Sequence, residues 1–365
     1  MSKEARFLFI AVYLLVGFGI VMTYSASGVY AGQIHKNPQY FLIRQVLYAA
    51  IGTFALFITA SIPLSFWKNH ARSMILLALA FLVMVFLPFV GHRAGGARRW
   101  IWLGAFNFQP AEFAKIAVCL YLSDYLSRKR REIKKGGPGV FVPPLLLVGA
   151  VCLLTLLQPD LGSSGFMFIL VCLLFFLVGI RLRYVLSALL IFFPVFYFLV
   201  MRVPYRLNRV TAYLNPWQDP QGTGFQIIQS FVAFGLGGIK GVGLGQSTQK
   251  LFYLPSSYND FIFSIIGEEL GLVGILFIML LYAVIFLCGI RMAGRADQDY
   301  QKLLILSLTL LIVLQALIHM LVTTGLIPTK GLPLPFVSYG GTSLVFNLMA
   351  AGLLLATDRS VRSRN

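Results

Sequence analysis

The chain has 365 residues, 58% of them hydrophobic and only 12% charged, with a mean hydropathy of +0.83. That is far more apolar surface than one soluble core can hide, so the chain belongs in lipid. Its net charge of +18 argues against nucleic-acid binding once placed: the basic residues sit in short connections between long apolar runs, where membrane orientation and anionic lipid account for them.

A membrane span needs about 20 mostly apolar residues. Such runs occupy 7–27, 43–62, 71–90, 110–126, 141–157, 164–180, 184–203, 261–290, 303–322 and 342–357. They predict an all-α polytopic membrane protein of about ten transmembrane helices, one transmembrane domain over 1–365 with no soluble domain and both termini on one side. The first run ends in Ser25-Ala26-Ser27 but exceeds a signal core of about 7–15 residues, so it reads as an uncleaved helix. An N-in, C-in orientation puts 18 of the 30 Lys and Arg residues on cytoplasmic segments, as the positive-inside bias requires. The rest gather where polar residues recur along the chain. Cys119, Cys152, Cys172 and Cys288 lie inside apolar runs without CxxC spacing or His neighbours and read as small buried hydrophobes.

In chain order, Arg44 enters the second run beside Gln45 and can snorkel outward. The loop Gly91–Gly104 interleaves Arg93, Arg98 and Arg99 with Trp100 and Trp102 on the non-cytoplasmic side. Indole anchoring explains it, or else guanidinium forks that match phosphate oxygens. Glu112 and Lys115 stand at i and i+3, sharing a helix face as a structural ion pair or a substrate contact. Asp160 is placed to cap the sixth helix. The seventh run, with Pro194, is a candidate gate for lipid tails.

Residues 204–260 form the one long connection, extracytoplasmic between helices 7 and 8, and long ordered loops usually carry function. It contains the turn-rich Asn215–Pro220, the amphipathic stretch Phe225–Phe234 and the glycine-rich Gly241–Ser247. Asp260 follows at the membrane boundary, where spacing alone favours a helix N-cap, a role compatible with catalysis. Glu268 and Glu269 read as packing residues on the cytoplasmic side, about 100° apart so that one faces inward. His319 reads as a hydrogen-bonding residue within the bundle. The stretch Gly325–Gly341 holds Lys330 and Ser338 with three prolines and four glycines, too irregular for lipid contact.

Together these segments resemble the SEDS (shape, elongation, division and sporulation) family over nearly the whole chain. The likeness rests on Tyr24–Ser27, Arg44-Gln45, Arg99–Ile101, Gln109–Glu112 with Lys115, Gln158–Gly162, Gly243–Ser247, Gln249-Lys250 with Leu254-Pro255, Asp260–Phe263, Gly267–Gly271 and Leu332–Gly341. Pro328–Gly331 resembles the division and sporulation (FtsW-like) branch rather than the elongation (RodA-like) one. Tyr258-Asn259 departs from the His-Thr that often precedes the aspartate in the family.

The resemblance implies a peptidoglycan glycosyltransferase that polymerises lipid II in the bacterial cytoplasmic (inner) membrane for septal wall synthesis in cell division. It implies Asp260 as the catalytic general base, and Arg44, Arg99, Trp100, Glu112, Lys115, Asp160, Ser247, Lys250, Lys330 and Ser338 as substrate-binding. The expected cofactor is at most one loosely held divalent cation, Mg²⁺ or Mn²⁺, bridging pyrophosphate, since no carboxylate cluster that cages such an ion is evident. Expected partners are lipid II and undecaprenyl-pyrophosphate-linked glycan, membrane lipids, other divisome membrane proteins and a class B penicillin-binding transpeptidase along helices eight and nine. A lipid II flippase and a non-catalytic divisome scaffold are the alternatives.

Overall fold

The computed structural model describes every residue except 95–96, 105, 136–137, 181–189, 191–193, 195–196, 198–201, 203, 330 and 363–365. Its long helices are α1 (Lys3–His35), α2 (Tyr40–Ser61), α4 (Ala71–Met84), α5 (Pro110–Arg128), α7 (Val142–Leu157), α8 (Leu161–Leu177), α11 (Ile262–Gly294), α12 (Asp299–Thr323) and α13 (Gly341–Arg362). Short helices α3 (Leu64–Asn69), α6 (Arg130–Lys135), α9 (Pro204–Leu214) and α10 (Phe225–Gly237) lie between them. Nine of the ten predicted apolar runs thus hold a long helix, while the run 184–203 with its Pro194 gate falls largely outside the described residues.

Among the described residues six helical segments are long and apolar enough to cross a membrane. The chain is therefore a multi-pass membrane protein. α5 escapes that count because Glu112, Lys115, Asp124 and Arg128 dilute it, yet it is buried on nearly every side between α4 and α12. A helix packed all round needs no amphipathic stripe. α12 is the other inner helix, packed by α5, α8, α11 and α13. α2 and α13 pack most extensively, with Gly352 against Leu56 and Thr59, and Gly52 against Leu348. Small residues allow that close backbone approach in a bundle without water.

The arginine- and indole-rich loop forms a small antiparallel sheet of β1 (Gly91–Ala94), β2 (Ala97–Leu103) and β3 (Phe106–Phe108), in the order β1-β2-β3. Strand alternation divides its cations. Ala97 and Ile101 are buried and Trp102 is exposed, so Arg99 lies on the inner face and Arg98 on the outer, where Arg98 donates to the Gly91 and Leu87 carbonyls at 3.0 and 2.8 Å.

The glycine-rich loop has a backbone role. At Gly271, with φ 63° and ψ −159°, α11 breaks. The loop docks on the break: Val242 and Gly243 N–H donate to the Glu268 and Glu269 carbonyls at 3.0 Å each, and Leu272 N–H donates to the Gly238 carbonyl at 3.0 Å. Broken helix backbone at this depth persists because protein supplies its partners. Glu268 and Glu269 accordingly sit with the 204–260 connection, at the Asp260 end of the bundle, and both point inward with no exposed surface. This corrects their expected placement at the cytoplasmic end with only one inward: both lie within the first turns of α11, next to Asp260, and the docked loop gives each of them a partner.

Candidate active site

Asp260 lies one residue before the α11 cap. The N-cap is Phe261, with no side-chain cap hydrogen bond, so the cap role that spacing favours for Asp260 is not adopted. Its backbone is held from two directions. Asp260 N–H donates to the Ser256 carbonyl at 3.1 Å and Tyr339 N–H to the Tyr258 carbonyl at 3.0 Å. The Ser338 hydroxyl donates to the Asn259 carbonyl and accepts from Leu334 N–H, both at 2.8 Å. The carboxylate rests over Gly331, where a Cβ would lie 3.6 and 3.8 Å from its two oxygens.

Among the described residues no salt bridge or hydrogen bond holds that carboxylate. Burial pushes its pKa up to about 6, against the opposing charges of Arg209 and Arg99 and reinforced by Asp160. Desolvation disfavours the charged form, and two guanidinium groups within electrostatic reach restore part of it. Arg209 Nη1 donates to the Thr329 carbonyl at 3.2 Å, tying α9 to the segment that carries Gly331. The Arg99 Nε is buried with no hydrogen-bond partner. Trp100 is half-buried beside it on β2.

The other predicted site residues each have partners of their own. Asp160 caps α8, accepting from Ser163 N–H at 3.0 Å and its hydroxyl at 2.9 Å. Glu112 and Lys115 pair at 2.8 Å, 4% and 1% exposed, and Lys115 also donates to Gln315 at 2.8 Å. Gln315 in turn donates to the Pro333 carbonyl at 2.9 Å, and His319 Nδ1 meets the Leu332 carbonyl at 2.8 Å. The irregular proline segment is thus fastened to α12 and lines protein. Ser247 donates to Glu268, while Lys250 pairs with Glu269 at 2.9 Å and donates to Ser25 at 3.4 Å. Arg44 is exposed, stacks over Tyr40 with 4.4 Å to the ring centroid, and reaches the Tyr339 phenol. Lys330 lies outside the described residues.

The structure therefore gathers Asp260, Arg99, Asp160 and Ser338 and adds Arg209, which the sequence analysis did not single out. Arg206 and Arg209 on Pro204–Leu214 are basic residues in the 204–260 connection, a signal that the orientation count contained but did not resolve. Among the described residues no three His, Cys, Asp or Glu side chains converge as a metal site. Among the described residues the carboxylate that acts on Asp260 is Asp160, already engaged by Ser163, so this side-chain set does not form a cation cage.

The FtsW/RodA/SpoVE cell cycle protein family model matches residues 5–363. The chain belongs to this family. It is 45% identical over 341 residues to the probable peptidoglycan glycosyltransferase FtsW of Geobacter metallireducens, covering 93% of this chain and 91% of the relative. To the stage V sporulation protein E of Bacillus subtilis it is 42% identical over 355 residues, 97% of each. A solved chain from a peptidoglycan synthase complex, in which polymerization and crosslinking are coordinated, superposes with a TM-score of 0.79 at 28% identity, covering 97% of each chain. Both sequence relatives come from the division and sporulation side of the family.

Proposed function

We propose that this protein is a peptidoglycan glycosyltransferase that polymerises lipid II, with its active site on the extracytoplasmic face of the bacterial cytoplasmic membrane, acting in septal wall synthesis. The observation that carries the reading is the Asp260 carboxylate: raised toward neutrality, engaged in no cap, and faced by Arg99 and Arg209.

In the proposed reaction the 4-hydroxyl of an incoming lipid II attacks the anomeric carbon of the strand held on undecaprenyl pyrophosphate. The new C–O bond is β-1,4; the bond to pyrophosphate breaks, and the leaving group takes that electron pair. Asp260 accepts the hydroxyl proton, a contribution of about 10²- to 10⁴-fold. Arg99 and Arg209 oppose the charge gathering on the pyrophosphate, the general means by which a partly dry site lowers such a barrier. Ser338 holds the Asn259 carbonyl and so orients the base. Lys330, adjacent to Gly331 in sequence, is a further proposed substrate-binding cation, and Arg44 and the Trp100 indole are proposed substrate contacts. Lys115 with Glu112, and Lys250 with Ser247, support the site through the segments they fasten. A divalent cation, if bound, would be held mainly by the substrate rather than by this side-chain set and would supply positive charge against the leaving group.

A class B penicillin-binding transpeptidase is the proposed partner, in keeping with the polymerizing and crosslinking complex that the chain resembles. Of the two helices expected to carry it, α11 exposes Leu272, Val273, Leu276 and Leu280, which supports α11 as the face for a single-pass helix, whereas α12 exposes only Leu317 among its large described apolar residues.

The test is polymerisation of labelled lipid II by purified protein with its partner, the partner's transpeptidase serine removed. Asp260→Asn is expected to lower strand formation at least 100-fold. Strands formed at the wild-type rate by that variant would reject Asp260 as the base, and no strands from the wild-type protein would return the chain to a flippase or a scaffold.

A further inference from the structure

At the end of the bundle opposite Asp260, the α2–α3 turn, the start of α12 and the last turn of α13 enclose a cavity of about 620 Å³. Its polar lining is Ser61, Lys68, Asn69, Gln298, Tyr300 and Arg359, together with Ser65 and Ser360, and contains no carboxylate. Lys68 and Arg359 are exposed and neither forms an ion pair among the described residues. Their basic neighbours are neutralised: Arg128 by Asp124, Arg130 by Asp299 and Arg295 by Glu4. The cavity lining therefore carries two cations and no acid, the nearby carboxylates Asp124 and Asp299 being paired with Arg128 and Arg130.

A second, independent feature points the same way. Tyr300 is 3% exposed, lines the cavity, and its hydroxyl has no hydrogen-bond partner, while its ring lies 5.5 Å from the Lys68 ammonium. A buried hydroxyl without a partner is costly, so an acceptor entering the cavity relieves a defect as well as meeting two cations. We propose that this cavity binds the phosphodiester headgroup of an anionic membrane phospholipid, with Lys68 and Arg359 on the phosphate oxygens and the Tyr300 hydroxyl donating to one of them.

A lipid fits better than free phosphate because the cavity sits at helix ends, where a multi-pass protein meets the bilayer surface. Phe57 and Ile58, 53% and 43% exposed on the last turn of α2, continue it along the helix as contacts for acyl chains. The bound headgroup would bridge α2, α12 and α13, so it also predicts lipid-dependent stability. Nothing in this site depends on glycosyl transfer.

Native mass spectrometry of the purified full chain in detergent, after addition of phosphatidylglycerol, phosphatidylethanolamine or inorganic phosphate, tests the assignment. Wild type should retain phosphatidylglycerol in preference to phosphatidylethanolamine. Lys68→Ala/Arg359→Ala should lose about ten- to thirtyfold in phosphatidylglycerol retention, a few-fold for each cation near a headgroup. The charge-matched control Arg291→Ala/Lys302→Ala, whose residues do not line the cavity, should lose less than about threefold on the same scale. Tyr300→Phe should lower retention while the thermal midpoint without lipid does not fall, since it removes only an unpaired hydroxyl. Equal losses in the two double variants, wild-type retention by Tyr300→Phe, or no preference between the lipids would each overturn the proposal. Displacement of phosphatidylglycerol by inorganic phosphate at equal concentration would overturn the lipid assignment in favour of a free anion.

Discussion

A general base has to be ionised to work, and Asp260 ionises late. Its pKa, raised from 3.8 to about 6, means that turnover should climb with pH through about 6 and level off above it. Arg209 is the largest charge holding that value down. Arg209→Ala should therefore move the rising limb to higher pH as well as slow the reaction, and a pH–rate profile with lipid II separates the two effects. The linkage to stability has the opposite sense. A carboxyl raised on folding contributes stability that is present below 3.8 and is lost as pH rises through about 6. Asp260→Asn should thus stabilise the fold at pH 8 by about 1–2 kcal/mol once its partial exposure is discounted, seen as a higher thermal midpoint. The gain should vanish near pH 4, so an inactive variant more stable than wild type is the expected pairing in differential scanning fluorimetry.

At the scale of elements, the break in α11 decides how the 204–260 connection reaches the site. Gly271 has a positive φ, and a Cβ there would collide with the backbone of Ile239 and Gly241. Gly271→Ala should cost more than about 1 kcal/mol through the left-handed backbone alone, seen as a lower thermal midpoint, and should loosen the docked glycine loop. Little of this is visible from residue order. The glycines at 237–245 and 267–274 announce unusual backbone, but which glycine packs on which is a tertiary fact. The acids show the limit clearly: helical periodicity puts Glu268 and Glu269 100° apart, whereas the docked loop gives both an inward partner. Asp160 is the opposite case. Its cap on α8 was legible because a cap is a local bond between residues three apart. Arg99 lies between, since the sequence marks it as an unusual outer cation and only the pairing of β2 turns it inward and Arg98 outward.

For the molecule as a whole, buried charges join segments remote in sequence. Lys250, Glu269 and Ser25 connect the glycine loop, α11 and α1. Removing one member of such a pair leaves the other charge buried alone, at about 3–5 kcal/mol. Lys250→Met should accordingly lower the thermal midpoint more than Lys250→Met/Glu269→Gln, in which no bare carboxylate remains; equal losses would mean that the pair contributes packing and not charge. The order of apolar runs, the motif spacing and the placement of irregular proline and glycine stretches determined from sequence alone that this is a multi-pass helical protein of its family. These are local quantities, set by hydropathy and backbone preference over a few turns. The set of charges that faces Asp260 was decided only by the tertiary structure. Arg99, Asp160 and Arg209 come from three separate elements, and their electrostatic coupling depends on distances that chain order does not contain.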